Sequence, residues 1–174
     1  MKSKLFKSSL CIVLALCVYV SIFLIYSFAL KTAKYRDDIL LVTFEYPKDW
    51  KAQESEYIIA GKTTRYEGED GFFQVGIVSG LDKTIESISD NEANQISNQY
   101  GSYPEIKKLN IRMKEFVFIL PSSDQPPEMN RQACFIVKYP SRITIGGDEY
   151  DYFILWADKD SIEKMAESFN FISY

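Results

Sequence analysis

The chain has 174 residues, with 20 lysine and arginine side chains against 24 aspartate and glutamate side chains, 3 cysteines and no histidine. This length suits one compact domain, or one domain with an appendage. Without histidine the chain cannot form a Ser-His-Asp triad, a Cys-His dyad or a histidine-bearing zinc site, which excludes much of the usual chemistry of enzymes.

The first 30 residues differ in composition from the rest. Residues 10–30 contain no charged side chain, and a helix of this length spans roughly 31 Å, the thickness of the hydrocarbon core of a bilayer. A cleaved signal peptide has a shorter apolar run of about 7–15 residues, and neither Cys11 nor Cys17 follows the small residue that a lipoprotein signal needs. We therefore predict an uncleaved transmembrane helix over residues 10–30, with cleavage after Ala29 and lipidation as the alternatives.

Charge predicts the orientation of this helix. Lys2, Lys4 and Lys7 make residues 1–9 a basic tail, which prefers the cytoplasm. We predict a linker at residues 31–37 and an extracytoplasmic domain over residues 38–174.

The net formal charge of the chain is −4, and removing the three lysines of the first 30 residues leaves −7. Such an acidic domain lacks the clustered basic side chains that attract nucleic acid or an anionic lipid surface, so no nucleic-acid partner is expected.

Short β-branched and aromatic runs separated by turn residues occupy most of the domain, which is typical of antiparallel strands. Residues 47–50 (PKDW) are expected to form a turn that places Trp50 against the core. Further turns are expected at residues 68–71 and 146–149, and a loop at residues 121–130. The predicted strands cover residues 39–47, 56–60, 62–66, 72–79, 105–112, 115–120, 131–140, 142–145 and 150–157.

Two segments have a helical period instead. The first covers residues 83–100, with Asp82 as its N-cap and Gly101 as its terminator; its apolar face comprises Ile85, Ile88, Ala93, Ile96 and Tyr100. The second begins at Asp160 or Ser161, and its apolar face comprises Ile162, Met165, Ala166 and Phe169. Because the strands do not alternate regularly with helices, we predict an α+β fold, an antiparallel β-sheet flanked by helices and preceded by one N-terminal transmembrane helix.

Acidic side chains in the predicted turns are the candidate metal ligands. Calcium prefers carboxylate oxygens, and Asp148, Glu149 and Asp151 lie in or beside one turn. Residues 146–150 (GGDEY) also differ by one residue from the GGDEF signature of diguanylate cyclases. An ordinary hairpin turn explains this string, and we favour that interpretation. A pair of carboxylates acting in glycoside hydrolysis is a further alternative.

Aromatic side chains on neighbouring strands are the candidate ligand contacts. Tyr139, Tyr152 and Trp156 could line a groove, although aromatic residues on a half-buried sheet are more often core. Cys134 lies within an apolar run and is predicted to be a buried small hydrophobe rather than a reactive thiol.

Three features together resemble the PsbP-like family, named for the extrinsic protein of the photosynthetic oxygen-evolving complex. Residues 44–50 (FEYPKDW) are similar to the family's opening strand, which ends in Tyr-Pro-x-x-Trp. The order of strands, central helix and later strands is also similar, as is the closing string SFNF at residues 168–171. The resemblance covers about residues 38–172. It implies an α/β/α sandwich on an antiparallel sheet, shared with the yeast Ran-release factor, and an accessory rather than a catalytic role.

These observations lead to one hypothesis and two alternatives. The hypothesis is a bacterial, non-catalytic accessory or binding domain, anchored in the membrane by residues 10–30 and facing outward, which binds an envelope protein or a cell-surface component. No cofactor is expected. The alternatives are a calcium-binding domain that uses the acidic turns and a carboxylate-based hydrolase.

Overall fold

A computed structural model describes residues 31–53, 64–81 and 83–172 of the chain. The predicted basic tail, the predicted transmembrane helix over residues 10–30, the predicted strand at residues 56–60 and the predicted cap Asp82 lie outside the described residues. Within the three described ranges, no helix combines the length and the apolar character needed to cross a membrane.

The described residues form strands that are mostly short, together with two short α-helices. The strands are β1 (Thr32–Asp37), β2 (Val42–Pro47), β3 (Lys51–Ala52), β4 (Tyr66–Gly68), β5 (Gly71–Val78), β6 (Glu105–Ile111), β7 (Lys114–Leu120), β8 (Gln132–Ile145), β9 (Asp148–Asp158) and β10 (Asn170–Phe171). The helices are α1 (Ile85–Ala93) and α2 (Ile162–Ser168), and Pro127–Met129 form a 3₁₀ turn.

The strands pair antiparallel in two sheets. The larger sheet has the order β3-β4-β5-β9-β8-β7-β6, and the smaller has the order β1-β2-β10. The predicted α+β class with antiparallel strands is therefore confirmed. The prediction of a single sheet is wrong, because β1, β2 and β10 form a separate layer that packs with α2 on one face of the larger sheet. Helix α1 covers the opposite face.

The segment predicted as a linker, residues 31–37, contains strand β1. It pairs with β2 from Thr32 opposite Pro47 to Asp37 opposite Val42. The ring of Tyr35 stacks on Phe44 with centroids 4.8 Å apart and contacts Phe73 edge-on at 5.4 Å. These aromatic contacts bury one side of the segment, so a sequence with three charged side chains still forms a strand.

One face of the larger sheet, here called the aromatic face, is packed with phenylalanine rings. Phe135 lies at its centre, with ring centroids of four other phenylalanines between 5.2 and 6.1 Å away. Successive strand residues point to opposite faces. The buried residues of the aromatic face are the even-numbered positions 116 and 118 of β7 and odd-numbered positions of β8 and β9. The fully buried rings of this face are Phe44, Phe73, Phe116, Phe118, Phe135, Phe153 and Phe169.

The opposite face, here called the carboxylate face, surrounds the buried side chain of Glu92 on α1. Its Oε1 atom accepts hydrogen bonds from Tyr100 Oη and Trp156 Nε1, both at 2.7 Å, and from Gln99 Nε2 at 2.8 Å. Its Oε2 atom accepts from Gln95 Nε2 at 2.6 Å. The buried apolar residues around this network are Phe72, Ile85, Ile88, Val117, Ile119, Cys134, Ile136, Tyr152 and Ile154.

This network also explains why α1 is shorter than predicted. The helix ends at Ala93 and residues 94–100 form turns, because Gln95, Gln99 and Tyr100 bind the Glu92 carboxylate. Ile96, predicted on the apolar face, is fully exposed. The N-cap is Thr84, whose Oγ1 accepts a hydrogen bond from the Ser87 N–H at 3.2 Å.

The strands predicted at residues 131–140 and 142–145 form one strand, β8, with an irregular stretch between Lys138 and Ile143. Pro140 lies in this stretch and cannot donate to the ladder, so the pairing is interrupted without ending the strand. The turn that joins β8 to β9 is formed by Gly146 and Gly147, which both have positive φ, as the hairpin interpretation of this string predicts.

Candidate functional site

Two grooves adjoin at the first residues of α2 and together form the candidate site, here called the cleft. The entry groove has a volume of about 850 Å³ and is lined by Lys31 and Thr32, where the described chain begins, and by the end of β2 and one side of α2. The acidic groove has a volume of about 860 Å³ and is lined by the β4–β5 turn, Arg131 and the end of β9. Asp70, Ser161 and Lys164 line both grooves.

The two grooves differ in charge. The charged residues that line the entry groove are Lys31, Lys48, Arg112 and Lys164 against Glu45, Asp49, Asp70 and Glu167, so its formal charges balance. Those of the acidic groove are Glu67, Glu69, Asp70, Asp158 and Asp160 against Arg131 and Lys164. The excess of three carboxylates favours a cationic ligand in the acidic groove.

Asp158 ends β9 with its side chain only 5% exposed, and it organises the floor of the acidic groove. Its Oδ1 accepts the backbone N–H of Asp160 at 2.9 Å, and its Oδ2 lies 3.4 Å from Nε of Arg131. Arg131 also forms an ion pair with Asp160. Burial raises the pKa of Asp158, and the N–H of Asp160 and the charge of Arg131 oppose that shift. This arrangement fixes the entry of the chain into α2.

Trp50 is packed in the core, as the turn prediction for residues 47–50 expects, and it lies behind Gly68 and Gly71 of the acidic groove. Its backbone N–H donates to Pro47 O at 3.1 Å, and its side chain is 1% exposed. A Cβ atom on Gly68 would lie 3.1 Å from Nε1 of Trp50, and one on Gly71 would lie 3.0 Å from Cζ2. The edge of the indole that carries the N–H is therefore directed at the β4–β5 turn. Within the described ranges this buried N–H has no hydrogen-bond partner.

The predicted metal ligands lie at the β8–β9 hairpin, away from the cleft. Arg142 Nη1 binds Glu149 Oε2 at 2.6 Å, and Arg142 Nε binds Asp151 Oδ1 at 3.0 Å. Burial acts to raise the pKa of Asp151, but hydrogen bonds from Arg142 and from the N–H of Gly80 outweigh it and lower the pKa. Asp148 is exposed at the start of β9. In the described part of the chain, no three His, Cys, Asp or Glu side chains gather as a metal site would require.

The predicted aromatic groove residues lie on two different faces of the larger sheet. Tyr139 belongs to the aromatic face and donates to Leu40 O at 2.8 Å, whereas Tyr152 and Trp156 belong to the carboxylate face. Tyr152 donates to Lys83 O at 2.9 Å. All three side chains are buried and bonded internally. They do not come together as one ligand surface.

Cys134 is buried, as predicted, on the carboxylate face. Desolvation raises the pKa of its thiol well above the ordinary value, and the nearby charge of Glu92 acts in the same direction. The thiol is accordingly kept protonated at neutral pH, which makes it a poor nucleophile.

The residues of the cleft come from separate parts of the chain. The sequence predicts a turn at residues 68–71, a strand that begins at Arg131 and a helix start at Ser161, but no spacing links these positions or Asp158 to one another. Their shared signal is a local excess of acidic side chains, at residues 67–71 and 158–160.

Comparison with solved structures finds proteins of similar architecture. One is cyanobacterial PsbP (CyanoP) from Synechocystis sp. PCC 6803, 16% identical, with 81% of this chain and 92% of that chain covered at a TM-score of 0.47. Another is the Ran-binding protein Mog1p of Saccharomyces cerevisiae, 10% identical, with 82% and 96% covered at a TM-score of 0.48. No protein-family model and no curated protein matches the chain. The predicted resemblance to PsbP-like proteins is confirmed as a likeness between structures.

Proposed function

We propose that the protein is a non-catalytic binding domain, held at a membrane by residues 10–30 with the domain on the extracytoplasmic side. Its cleft receives an envelope protein or a cell-surface component. The observation that carries this proposal is the cleft itself, in which two grooves of about 850 and 860 Å³ meet at Ser161. A continuous charged surface of this size suits an extended segment of a partner better than a small molecule, for which sites are mostly apolar and enclosed.

The side chains of the cleft support binding rather than catalysis. The most strongly buried carboxylate, that of Asp158, has both oxygens engaged by Arg131 and by the backbone of Asp160. A general acid must reach the atom that it protonates, and Asp158 holds its own chain instead. The buried thiol of Cys134 lies on the carboxylate face and does not line either groove.

Photo-crosslinking from defined positions tests this function. A benzoylphenylalanine is placed in the full-length protein, in its own membrane, at position 48 in the entry groove, at position 69 in the acidic groove, or at position 148 on the remote hairpin. We expect the same protein adduct from positions 48 and 69 and none from position 148. Protease added outside intact cells should digest the adduct, which reports the side of the membrane.

A bulky substitution at the junction of the grooves provides the specificity control. Ser161 makes no side-chain capping bond, so Ser161→Tyr adds volume to the cleft without removing a cap. We expect it to reduce the adduct about tenfold, a loss of about 1.4 kcal/mol of binding free energy. Ser141→Tyr, at an exposed position of β8, should leave the adduct unchanged. Equal yields from positions 69 and 148, or an adduct insensitive to Ser161→Tyr, would contradict the proposal.

A further inference from the structure

Strand β6 forms one edge of the seven-stranded sheet. It pairs with β7 without interruption from Glu105 opposite Leu120 to Ile111 opposite Lys114, and within the described ranges no strand pairs with its other side. Its seven residues contain no proline and no bulge. The unpaired side of such a strand presents a row of backbone N–H and C=O groups, which is a template for another extended strand.

The turn after β6 determines which backbone groups point away from β7. Arg112 and Met113 both have positive φ and form a two-residue hairpin turn between Ile111 and Lys114. The pair that flanks a turn of this type exchanges both backbone hydrogen bonds, and bonded and non-bonded pairs then alternate along the ladder. The even-numbered positions from 106 to 110 therefore direct their N–H and C=O groups to the open side.

The two lysines of β6 do not leave this edge with a strong positive charge. Lysine side chains commonly protect a sheet edge, because their charge repels a second strand. Here Lys107 Nζ lies 3.4 Å from Glu163 Oε1 on α2, and Lys108 forms an ion pair with Glu86 on α1. An acid of one helix therefore offsets the lysine charge on each face of the sheet.

A second copy of β6 fits this edge best in one antiparallel register. If Leu109 lies opposite its own copy, Lys108 lies opposite Asn110, and no two basic side chains are directly opposed. A pairing centred on either lysine places that lysine opposite itself, and a pairing centred on Asn110 places Lys108 opposite Arg112. Directly opposed like charges destabilise a strand pair, so charge selects the register centred on Leu109.

The same register adds an apolar contact on the aromatic face. Leu109 and Ile111 are partly buried and pack against the core of that face. In the pairing centred on Leu109, this side chain lies opposite its own copy and diagonal to Ile111 of the second copy, within reach of both. The aromatic face of one copy is thereby extended by that of the other.

From the open edge, its offset charges and its self-complementary register, we infer that the protein forms a twofold dimer through β6. The two seven-stranded sheets join into one, and Lys108 of each copy exchanges both backbone hydrogen bonds with Asn110 of the other. The same patch serves both copies, as in other twofold interfaces. The interface does not include the cleft, so it does not rest on the proposed function.

Cysteine crosslinking tests the register. Leu109 would face its own copy in a non-hydrogen-bonded pair, with Cα atoms about 4.5 Å apart, which is within the range of a disulfide. Full-length protein with Cys11→Ser and Cys17→Ser receives one new cysteine and is oxidised in its own membrane. We expect at least tenfold more disulfide-linked dimer from Leu109→Cys than from Lys107→Cys, whose two copies would lie roughly 13 Å apart along the strands.

A staggered pair of cysteines provides a positive control in the same register. Lys107 lies opposite Ile111 of the second copy, so Lys107→Cys and Ile111→Cys, produced together with different tags, should give a mixed dimer. Neither should crosslink efficiently to itself. Equal dimer yields from Leu109→Cys and Lys107→Cys would indicate random collision and overturn the inference. The absence of both the Leu109→Cys dimer and the mixed dimer would overturn it too.

A proline at position 110 tests the backbone pairing. In the Leu109→Cys protein, Asn110→Pro removes an N–H that points to the second copy and none that bonds β7, as a proline on an edge strand allows. We expect the dimer yield to fall at least fivefold, whereas Asn110→Ala should leave it unchanged. Near-ultraviolet circular dichroism of each variant reports whether it is folded. A folded Asn110→Pro variant that crosslinks as well as Asn110→Ala would exclude pairing through this edge.

A strand of a different protein is the competing occupant of this edge. Full-length protein with benzoylphenylalanine at position 110 distinguishes the two occupants, because a second copy gives an adduct of twice the mass of the chain. An adduct with a different protein, together with no dimer from Leu109→Cys, would overturn the second copy as the occupant.

Discussion

The two faces of the seven-stranded sheet are buried by different means. The aromatic face is covered by a second sheet and α2, and its core is apolar, with contacting phenylalanine rings surrounded by aliphatic side chains. The carboxylate face is covered by a helix of nine residues and by the turns at residues 94–100. Glu92 accepts three hydrogen bonds from these turns and a fourth from Trp156 on β9. A large apolar layer is stabilised without directional hydrogen bonds, because the apolar surface that it removes from water is sufficient to hold it in place. A small layer gains order from directional bonds to one acceptor.

The largest expected effect of a single substitution is on the aromatic face. Phe135→Ala removes a fully buried ring that contacts four other rings, so we expect the free energy of unfolding to fall by about 3–5 kcal/mol. Urea unfolding of the full chain in detergent micelles, followed by near-ultraviolet circular dichroism, measures the change. Leu81→Ala, at an exposed position, should change it by less than about 0.5 kcal/mol. A loss below about 1 kcal/mol for Phe135→Ala would show that the aromatic face repacks.

The second-largest expected loss of stability is on the carboxylate face, where buried hydrogen-bond donors lose their acceptor. Glu92→Ala leaves the buried donors Tyr100 Oη and Trp156 Nε1 without their acceptor, and we expect a loss of about 2–4 kcal/mol in the same unfolding assay. Glu86 lies on the same helix but is exposed, and it forms an ion pair with Lys108 at the surface. Glu86→Ala should therefore be close to wild type.

Glu92→Leu distinguishes the contribution of the hydrogen bonds to the free energy of unfolding from the contribution of side-chain packing. It keeps side-chain volume but offers no acceptor, so it should destabilise the protein as Glu92→Ala does. If Glu92→Leu is as stable as wild type or more stable, the network contributes specificity rather than stability.

The smallest expected effect is a dependence of the free energy of unfolding on pH, which arises from Cys134 on the carboxylate face. Burial holds the pKa of Cys134 above its ordinary value, so above about pH 8.5 the unfolded chain loses the thiol proton while the folded chain keeps it. Unfolding then releases a proton, and the stability of the wild type relative to Cys134→Ala should fall by about 1.4 kcal/mol per pH unit. Measurements between about pH 8.5 and 9.5 keep most tyrosines of the unfolded chain protonated, since their pKa is about 10. Parallel stability profiles for the two proteins would exclude this linkage.

Much of the fold follows from local sequence signals. The runs that form β5, β7, β8 and β9 are β-branched and aromatic, and they were predicted as strands within a few residues of their bounds. The helical period of residues 162–169 predicts α2 and its buried residues Ile162, Met165 and Ala166. The same reasoning extended α1 to Tyr100, because periodicity alone does not reveal that Glu92 draws Gln95 and Gln99 into turns.

The candidate site was much less accessible to sequence reasoning. Asp148, Glu149 and Asp151 have the composition of a metal site, yet the hairpin places the guanidinium of Arg142 against two of these carboxylates and offsets part of their charge. Tyr139 and Trp156 lie on adjacent strands, yet their positions point to opposite faces. Asp70, Arg131 and Asp160, which do face one groove, are separated by long stretches of chain. Charge pairing and face assignment depend on register, which short-range patterns do not specify.

The sequence by itself determined the α+β class, the strands β2 and β5 to β9, the buried state of Trp50 and Cys134, and the exclusion of histidine-based chemistry. Each of these depends on residue type and local period, which act over a few residues. Only the tertiary structure decided that residues 32–37 are a strand, that α1 stops at Ala93, and that the acids of two remote turns share a groove. Those features depend on contacts between distant segments, in which the ring contacts of Tyr35 and the burial of Glu92 outweigh what the local sequence prefers.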